Sequence, residues 1–332
     1  MMTARASGER KERVHSGGRR FGEVAIKWLL ALLLVVAATE CILRFGLGLG
    51  NPILITKDAA CSYTLKPDQD VLRFFVRTRI NHYGMRSDEV PIARATGTMR
   101  LMFVGDSITY GTTRLDQRQI FTELLHRDLP GIVHQRVEVL NASAGGWAPA
   151  NELAFIQSRG IFQSDVVLLV LNDGDLTQPP STIAAVGDDL PQTRPATAIG
   201  ELYSRYLKPR LTHAFTRSDG GESASANSDV VAHENLKDIE SIRELVKSQG
   251  ARFVLVFIPI RKDIPDTSSV PETEIKAWSN AHGVSMFDLT SAELPYSSKD
   301  LSLDDGVHFN SRGHSVIART MERDWPALIG NK

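Results

Sequence analysis

The sequence predicts a three-layer α/β/α domain wound around a five-stranded parallel sheet, with an apolar helix ahead of it. Three observations predict this. From residue 100 onward, short apolar runs alternate with segments of helical period, the pattern of strands joined by crossover helices. Near the N-terminus, a basic stretch precedes an uninterrupted apolar run, Trp28–Thr39. The 332 residues, 42% hydrophobic and 23% charged, have ordinary globular composition with room for one large domain. A net charge of -1, from 38 basic and 39 acidic side chains, provides no general field for a polyanion, so nucleic acid is not an expected partner. Cys41 and Cys61 can form one bridge at most, and no CxxC or Cys/His cluster has zinc spacing, so no metal is expected.

The first element is the apolar helix. Residues 1–27 carry Arg5, Arg10, Lys11, Arg13, Arg19, Arg20 and Lys27 against Glu9, Glu12 and Glu23. Twelve apolar residues rise only about 18 Å as helix, short of the roughly 30 Å hydrocarbon layer. The stretch Val24–Leu43 spans that layer if Lys27 snorkels to the inner interface and Glu40 sits at the outer one. Only Arg44, Lys57 and Lys66 are basic between there and residue 70, so the charge bias leaves a tail, 1–23, in the cytoplasm and exports everything beyond residue 43. A cleaved signal peptide competes with this anchor, since Val36-Ala37-Ala38 is a usable small-residue site; a buried soluble helix is the third reading. Glu40 stands where a lipoprotein cysteine needs a small residue, which disfavours lipidation of Cys41.

The remaining elements follow in order. Residues 44–99 read as a linker, with Pro67, Gly84 and Pro91 as punctuation and an alternating stretch, Leu72–Ile80, that suggests a hairpin. Buried strands are expected at Leu101–Val104, Val137–Leu140, Val166–Leu171, Phe253–Ile258 and Val284–Phe287. Between them, Phe121, Leu124 and Leu125 recur at helical spacing, as do Leu236, Ile239, Ile242 and Val246, and then Ile275 and Trp278. These are core-facing stripes rather than ligand sites. A last helix is expected over Ser311–Trp325, with Val316, Ile317 and Met321 inward. The domain thus spans 100–328 and is flavodoxin-like, with its active edge at the carboxyl ends of the strands. Residues 176–229 form an insertion in which Glu201–Leu211 suggests a short helix, read as a flap over the site, and Ser218–Asp229 reads as a mobile run.

The residues with chemical potential gather at strand ends. Gly105-Asp106-Ser107 closes the first strand, where glycine permits a tight turn and the serine stands as a nucleophile. Asp305-Gly306-Val307-His308 precedes the last helix. A carboxylate three residues before a histidine can accept the proton of one ring nitrogen while the other faces the serine. Asn141-Ala142-Ser143-Ala144-Gly145-Gly146-Trp147 follows the second strand and Leu171-Asn172-Asp173 the third. Acyl transfer through a serine needs donors for the oxyanion, and a glycine N–H with an asparagine amide would supply them. Each block alone is weak, since a Gly-Asp-Ser is more often a turn and a lone histidine more often structural. No HExxH, P-loop, dinucleotide fingerprint or G-x-S-x-G elbow is present.

Together, the order Ser, Gly, Asn, Asp-x-x-His resembles the SGNH or GDSL-type serine hydrolases across residues 100–325. The resemblance implies that Ser107 is the nucleophile, His308 the base and Asp305 its orienter. It also implies an oxyanion hole of the Ser107 N–H, Gly146 and Asn172. Asp106 and Asp173 are expected as loop braces, and Asp304 as a rival that lacks the family spacing. Trp147 is expected either to line an acyl or sugar pocket or to cover the second helix. His314 is expected to have no chemistry. Val170 and Ser143 depart from the glycines common at those positions and are expected to reshape the cleft. Asn81–Ser87 looks like a segment that precedes the first strand in membrane-anchored bacterial members, where a turn is its expected role.

The activity implied is removal of a small acyl group, most plausibly acetyl, from a cell-envelope or extracellular carbohydrate, without a cofactor. The rivals are a lysophospholipase or other lipid esterase, an O-acyltransferase, and a non-catalytic envelope-binding module, which would not need all five site residues. Protein partners, acyl acceptor and oligomeric state stay open at this level.

Overall fold

A computed structural model describes residues 13–184, 191–213, 228–260, 270–293 and 295–330. The elements run α1 (Arg13–Cys41), β1 (Ile55–Asp58), β2 (Ser62–Leu65), β3 (Gln69–Arg73), β4 (Val76–Ile80), β5 (Thr98–Gly105), α2 (Ser107–Tyr110), α3 (Phe121–Val133), β6 (Arg136–Ser143), α4 (Pro149–Arg159) and β7 (Val166–Leu171). They continue with α5 (Ala198–Glu201), α6 (Lys208–His213), α7 (Ser228–Ser248), β8 (Arg252–Phe257), α8 (Val270–His282), β9 (Ser285–Asp288), α9 (Thr290–Glu293), α10 (Ser298–Leu301) and α11 (Ser311–Leu328). By their contacts these elements form two compact units, Met1–Asn51 with Pro195–Thr216, and Pro52–Arg194 with Arg217–Lys332.

In the larger unit, the five expected strands form one parallel sheet of order β6-β5-β7-β8-β9. Alternation along β5 divides its side chains between two layers. Met102 and Val104 join Phe155, Ile239, Ile242, Val246 and Ile275 in one apolar cluster. Leu101 and Phe103 face the other way, with Phe121, Leu125, Ile317, Met321 and Trp325. Both faces of a parallel sheet must be covered, which is why its strands read as continuous apolar runs. The helical stripes expected from the sequence are the residues that cover them.

The strand order also places the site. After β5 the chain moves to β6 on one side and then returns to β7 on the other, so the crevice of an open α/β sheet lies at the carboxyl end of β5. Ser107 follows that end directly, between the loops that leave β6 and β7.

The segment before β5 corrects the linker expectation. Its Leu72–Ile80 hairpin forms as β3–β4, with Leu72 opposite Arg77, and a second hairpin, β1–β2, precedes it. Ile55, Tyr63, Leu65, Val71 and Ile80 from both hairpins are buried in the same cluster as the sheet. Two arginines complete the attachment. Arg100, fully buried, pairs with Glu138 at 2.8 Å and donates to the carbonyls of Ile92 (2.8 Å) and Pro91 (2.9 Å). Arg86, within the expected turn Asn81–Ser87, donates to the carbonyls of Tyr110 (2.8 Å), Leu115 (2.7 Å) and Thr112. It thereby ties the turn to the loop behind Ser107.

In the smaller unit, residues Phe21–Gly46 form the single helical stretch among the described residues long and apolar enough to cross a membrane. Its 26 residues rise about 39 Å, and its apolar side chains stand outward, Phe21 at 81% and Trp28 at 74% exposure. Of its apolar side chains, only Leu43 near its end is buried. Residues 198–213 of the insertion are helical, as expected for Glu201–Leu211, with a wider π turn over Leu202–Leu207. They group with α1 in this unit. Most of the run expected to be mobile, 218–227, lies outside the described residues, as does the tail before Arg13; Ser228 and Asp229 begin α7.

Candidate active site

The turn into Ser107 is fixed by the smallness of Gly105. A β-carbon there would stand 2.2 Å from Thr109 Oγ1 and 3.1 Å from the Val170 carbonyl oxygen, so only glycine lets strand and helix meet this closely. Asp106 caps α2, accepting the Ile108 N–H at 2.8 Å. The second block is bound to the first through Asn141, whose amide donates to the Thr109 carbonyl at 2.7 Å.

Residues about 200 positions apart then meet. Ser107 Oγ lies 3.0 Å from His308 Nε2, and His308 Nδ1 lies 3.1 Å from Asp305 Oδ2. The other oxygen, Asp305 Oδ1, accepts the N–H groups of Val307 (3.0 Å) and His308 (2.9 Å), which sets the carboxylate's orientation. Burial would raise the Asp305 carboxyl, but those two N–H groups and the His308 ring outweigh it and hold the carboxylate below its usual range. The rival Asp304 is 85% exposed and pairs instead with Arg114. Arg114 also reaches Asp305 Oδ2 at 3.3 Å, a contact that no spacing in the sequence announces.

The proposed oxyanion donors come from the neighbouring loops. Gly146 adopts φ +82°, a conformation that favours glycine, at the turn after β6. Its carbonyl accepts from Gln178 Nε2 at 2.7 Å, and the preceding carbonyl, Gly145, accepts from the Tyr63 hydroxyl at 2.7 Å. Asn172 is oriented on three sides. Its Oδ1 accepts the Gly174 N–H (2.8 Å), its Nδ2 donates to Asp106 Oδ2 (3.1 Å), and its N–H donates to Asp175 Oδ2 (2.7 Å). The amide nitrogen carries a second hydrogen beyond the one given to Asp106.

Asp173 and His314 keep their expected roles, while the readings of Trp147, Val170 and Ser143 change. Asp173 braces its loop, with Oδ2 accepting the Ile260 N–H at 2.6 Å. Trp147 is buried, packs on Phe155 with ring centroids 5.3 Å apart, and donates its indole N–H to the Tyr63 carbonyl at 3.1 Å. The substrate-pocket reading of Trp147 is thereby corrected to its alternative, a cover for α4. Val170 points into the core and Ser143 is buried with its hydroxyl on Asn141 Oδ1, so neither shapes a cleft. His314 is a buried acceptor for the Phe121 N–H at 3.2 Å. Burial, with the charges of Arg86 and His308, lowers its pKa to about 3, which keeps the ring neutral.

The sequence reading missed Tyr63, Gln178, Arg114 and a group of buried acids behind Asn172. Glu152 and Asp175 are buried with Asp106, and neither Glu152 oxygen nor Asp175 Oδ1 has a hydrogen-bond partner among the described residues. Burial and then the Asp106 charge push Glu152 well above the usual carboxyl range, and the same causes raise Asp175. A carboxyl raised in this way binds its proton more tightly folded than unfolded. Its stability contribution is therefore present at low pH and lost as pH rises from the ordinary carboxyl range through the raised value. Glu152→Gln keeps the shape without the titration, so its melting temperature is expected to gain on the wild type from pH 5 to pH 9. Parallel melting curves across that range would show that folding leaves the Glu152 carboxyl at its ordinary value.

The profile of the GDSL-like Lipase/Acylhydrolase family matches residues 103–316, a span that includes Ser107, Gly146, Asn172, Asp305 and His308. No curated protein matches the chain. Among solved structures, the lipase/acylhydrolase from Enterococcus faecalis is 16% identical, with 70% of this chain and 98% of that chain covered and a TM-score of 0.44. The psychrotrophic esterase EstA from Pseudoalteromonas sp. is 13% identical, with 70% and 99% covered and a TM-score of 0.42. A variant of Axe2, an acetyl-xylooligosaccharide esterase from Geobacillus Stearmophilus, is 14% identical, with 68% and 93% covered and a TM-score of 0.42. The family profile covers more than half of the chain, from within β5 into α11, and the chain accordingly belongs to the GDSL-like lipase/acylhydrolase family, the SGNH hydrolases, and is a carboxylic ester hydrolase.

Proposed function

We propose that the protein is an exported, membrane-anchored deacylase that removes a small acyl group, most plausibly acetyl, from envelope or extracellular carbohydrate through an acyl-Ser107 intermediate. The observation that carries the mechanism is the continuous path from Ser107 Oγ through the His308 ring to Asp305. His308 Nε2 takes the hydroxyl proton as Oγ bonds to the ester carbonyl carbon. The carbonyl oxygen becomes an oxyanion, held by the Ser107 and Gly146 N–H groups and Asn172 Nδ2. Collapse breaks the bond to the alcohol, which leaves with the proton from His308. Water then repeats the cycle on the acyl-serine, releasing the acid and restoring the hydroxyl. Asp305, ionised below the usual carboxylate range, stabilises the imidazolium formed in each half.

The compartment supports the substrate class. The apolar stretch Phe21–Gly46 with basic residues on its N-terminal side supports an outward placement, where acylated carbohydrate is one available class of ester. In this reading the boundaries are a tail at 1–23, an anchor at 24–43 and a hydrolase domain at 100–328 that also incorporates the hairpins before it. The same apolar helix favours a second reading, a lipid esterase. Purified full-length protein is expected to release acetate from acetylated oligosaccharides faster than fatty acid from lysophospholipids, and to stay in membranes after a high-salt wash. The reverse preference would establish the lipid reading. Acetyl movement to a sugar acceptor without free acetate would establish a transferase. An N-terminus at Thr39 would show cleavage.

A further inference from the structure

The insertion that leaves the hydrolase domain is fastened to the end of the apolar helix. Glu40, in the last turn of α1, accepts the N–H groups of Ala198 (2.8 Å) and Ile199 (3.0 Å), capping the helical segment that begins there. Arg44 binds the same carboxylate at 2.7 Å and donates to the Ala196 carbonyl at 3.1 Å. Farther along, the buried Glu201 accepts the Gly50 N–H at 2.5 Å. Leu43, Leu49 and Ala198 close an apolar contact between the two pieces. A carboxylate, a guanidinium and two backbone N–H groups thus satisfy one another at the level where α1 would leave the hydrocarbon.

The outward side of this assembly is not that of a water-facing helix. Tyr203 and Leu207, one turn apart, are 56% and 45% exposed, and beside the anchor's end Ile42 and Phe45 are 65% and 82% exposed. Over residues 198–210 the sole acidic residue is the buried Glu201, while Arg205, Lys208 and Arg210 are basic. Exposed tyrosine and leucine together with basic side chains suit the zone between acyl chains and phosphates. There aromatic rings settle at headgroup level and long cations reach the phosphates. Arg205 pairs with the buried Glu201 at 3.4 Å, and a second copy of the chain would set its own Lys208 and Arg210 against this face, which disfavours self-association.

We propose that Ala198–Arg210 is an interfacial helix. It lies in the outer headgroup layer of a phospholipid bilayer, with Tyr203 and Leu207 at the acyl boundary and its basic side chains toward anionic phosphates. The inference rests on the anchor reading of α1, and it gives the insertion a role in fixing how the anchor emerges.

Depth-dependent quenching tests it on the full chain. An environment-sensitive fluorophore is placed at Leu207→Cys, and in a parallel sample at Leu33→Cys, in a Cys41→Ser background, Cys61 being buried. The protein is reconstituted in phosphatidylcholine–phosphatidylglycerol vesicles with nitroxide lipids labelled near the headgroup or deep in the chain. The Leu207 label is expected to be quenched at least twofold more by the shallow nitroxide, and the Leu33 label more by the deep one. Tyr203→Cys provides a second shallow site. An unquenched label at both Leu207 and Tyr203, with Leu33 quenched, overturns the interfacial helix and leaves the anchor standing. Leu33 unquenched overturns both. A Leu207 signal that grows with protein density and ignores the nitroxides overturns the proposal in favour of self-association.

Discussion

Ser107→Ala is expected to lower kcat on ester substrates by about 10⁵- to 10⁶-fold, and His308→Ala by a similar factor, with little change in melting temperature. The hydroxyl and the imidazole are two halves of one proton transfer across 3.0 Å, so losing either stops acyl-enzyme formation. The double variant is expected to be no worse than either single one, because members of one catalytic unit are not additive. The fold does not lean on these atoms. The turn is set by Gly105 and by Asp106, whose carboxylate caps α2 through the Ile108 N–H, and both survive the substitutions. Additive losses in the double variant, read from steady-state kinetics on folded protein, would contradict a shared step.

Asn172→Ala carries the second large effect, a fall in kcat of about 10² to 10³, or about 3 to 4 kcal/mol, with KM little changed. Its amide acts on charge that develops only in the transition state. The geometry sharpens the control. The Asn172 N–H still donates to Asp175 Oδ2 in the variant, so the backbone of the loop keeps its anchor. Asp106 Oδ2 loses one donor but Oδ1 keeps the Ile108 N–H, which limits the structural loss. Melting temperature and kinetics on one preparation separate the roles. A normal kcat per folded molecule would assign Asn172 to bracing alone.

Strands β5 to β9 were legible because burial on both faces leaves them as runs such as Val166–Leu171, which no other element of that length needs. Ser107, Gly146, Asn172, Asp305 and His308 stood out because each sits just beyond a strand or before a helix, and the sheet order brings such loops together. The missing parts share a physical cause. Tyr63, Arg86 and Gln178 act on backbone carbonyls far along the chain, at Gly145, Tyr110 and Gly146, and a carbonyl leaves no trace in the residue type that bears it. Trp147 misled for the same reason, since the partner of its indole is the Tyr63 carbonyl. Of the hairpins before β5, β1–β2 was missed because its strands are only four residues each and Ile55–Asp58 carries a single apolar residue, too little to separate from a linker. Glu152 and Asp175 drew no attention because nothing local in the sequence distinguishes a carboxyl that burial raises.

The proposed mechanism requires that Ser107, activated by His308, form a covalent acyl intermediate. A fluorophosphonate reports this directly, since it phosphonylates only an activated serine and can be located by peptide mass. Cleavage after Arg100 and Arg114 gives a peptide, Leu101–Arg114, in which Ser107 is the sole serine. The expected result is one adduct per chain on that peptide, carried by Ser107, absent from Ser107→Ala and strongly slowed in His308→Ala. An ester-cleaving preparation that takes no label there, or takes it on another serine, would contradict the account.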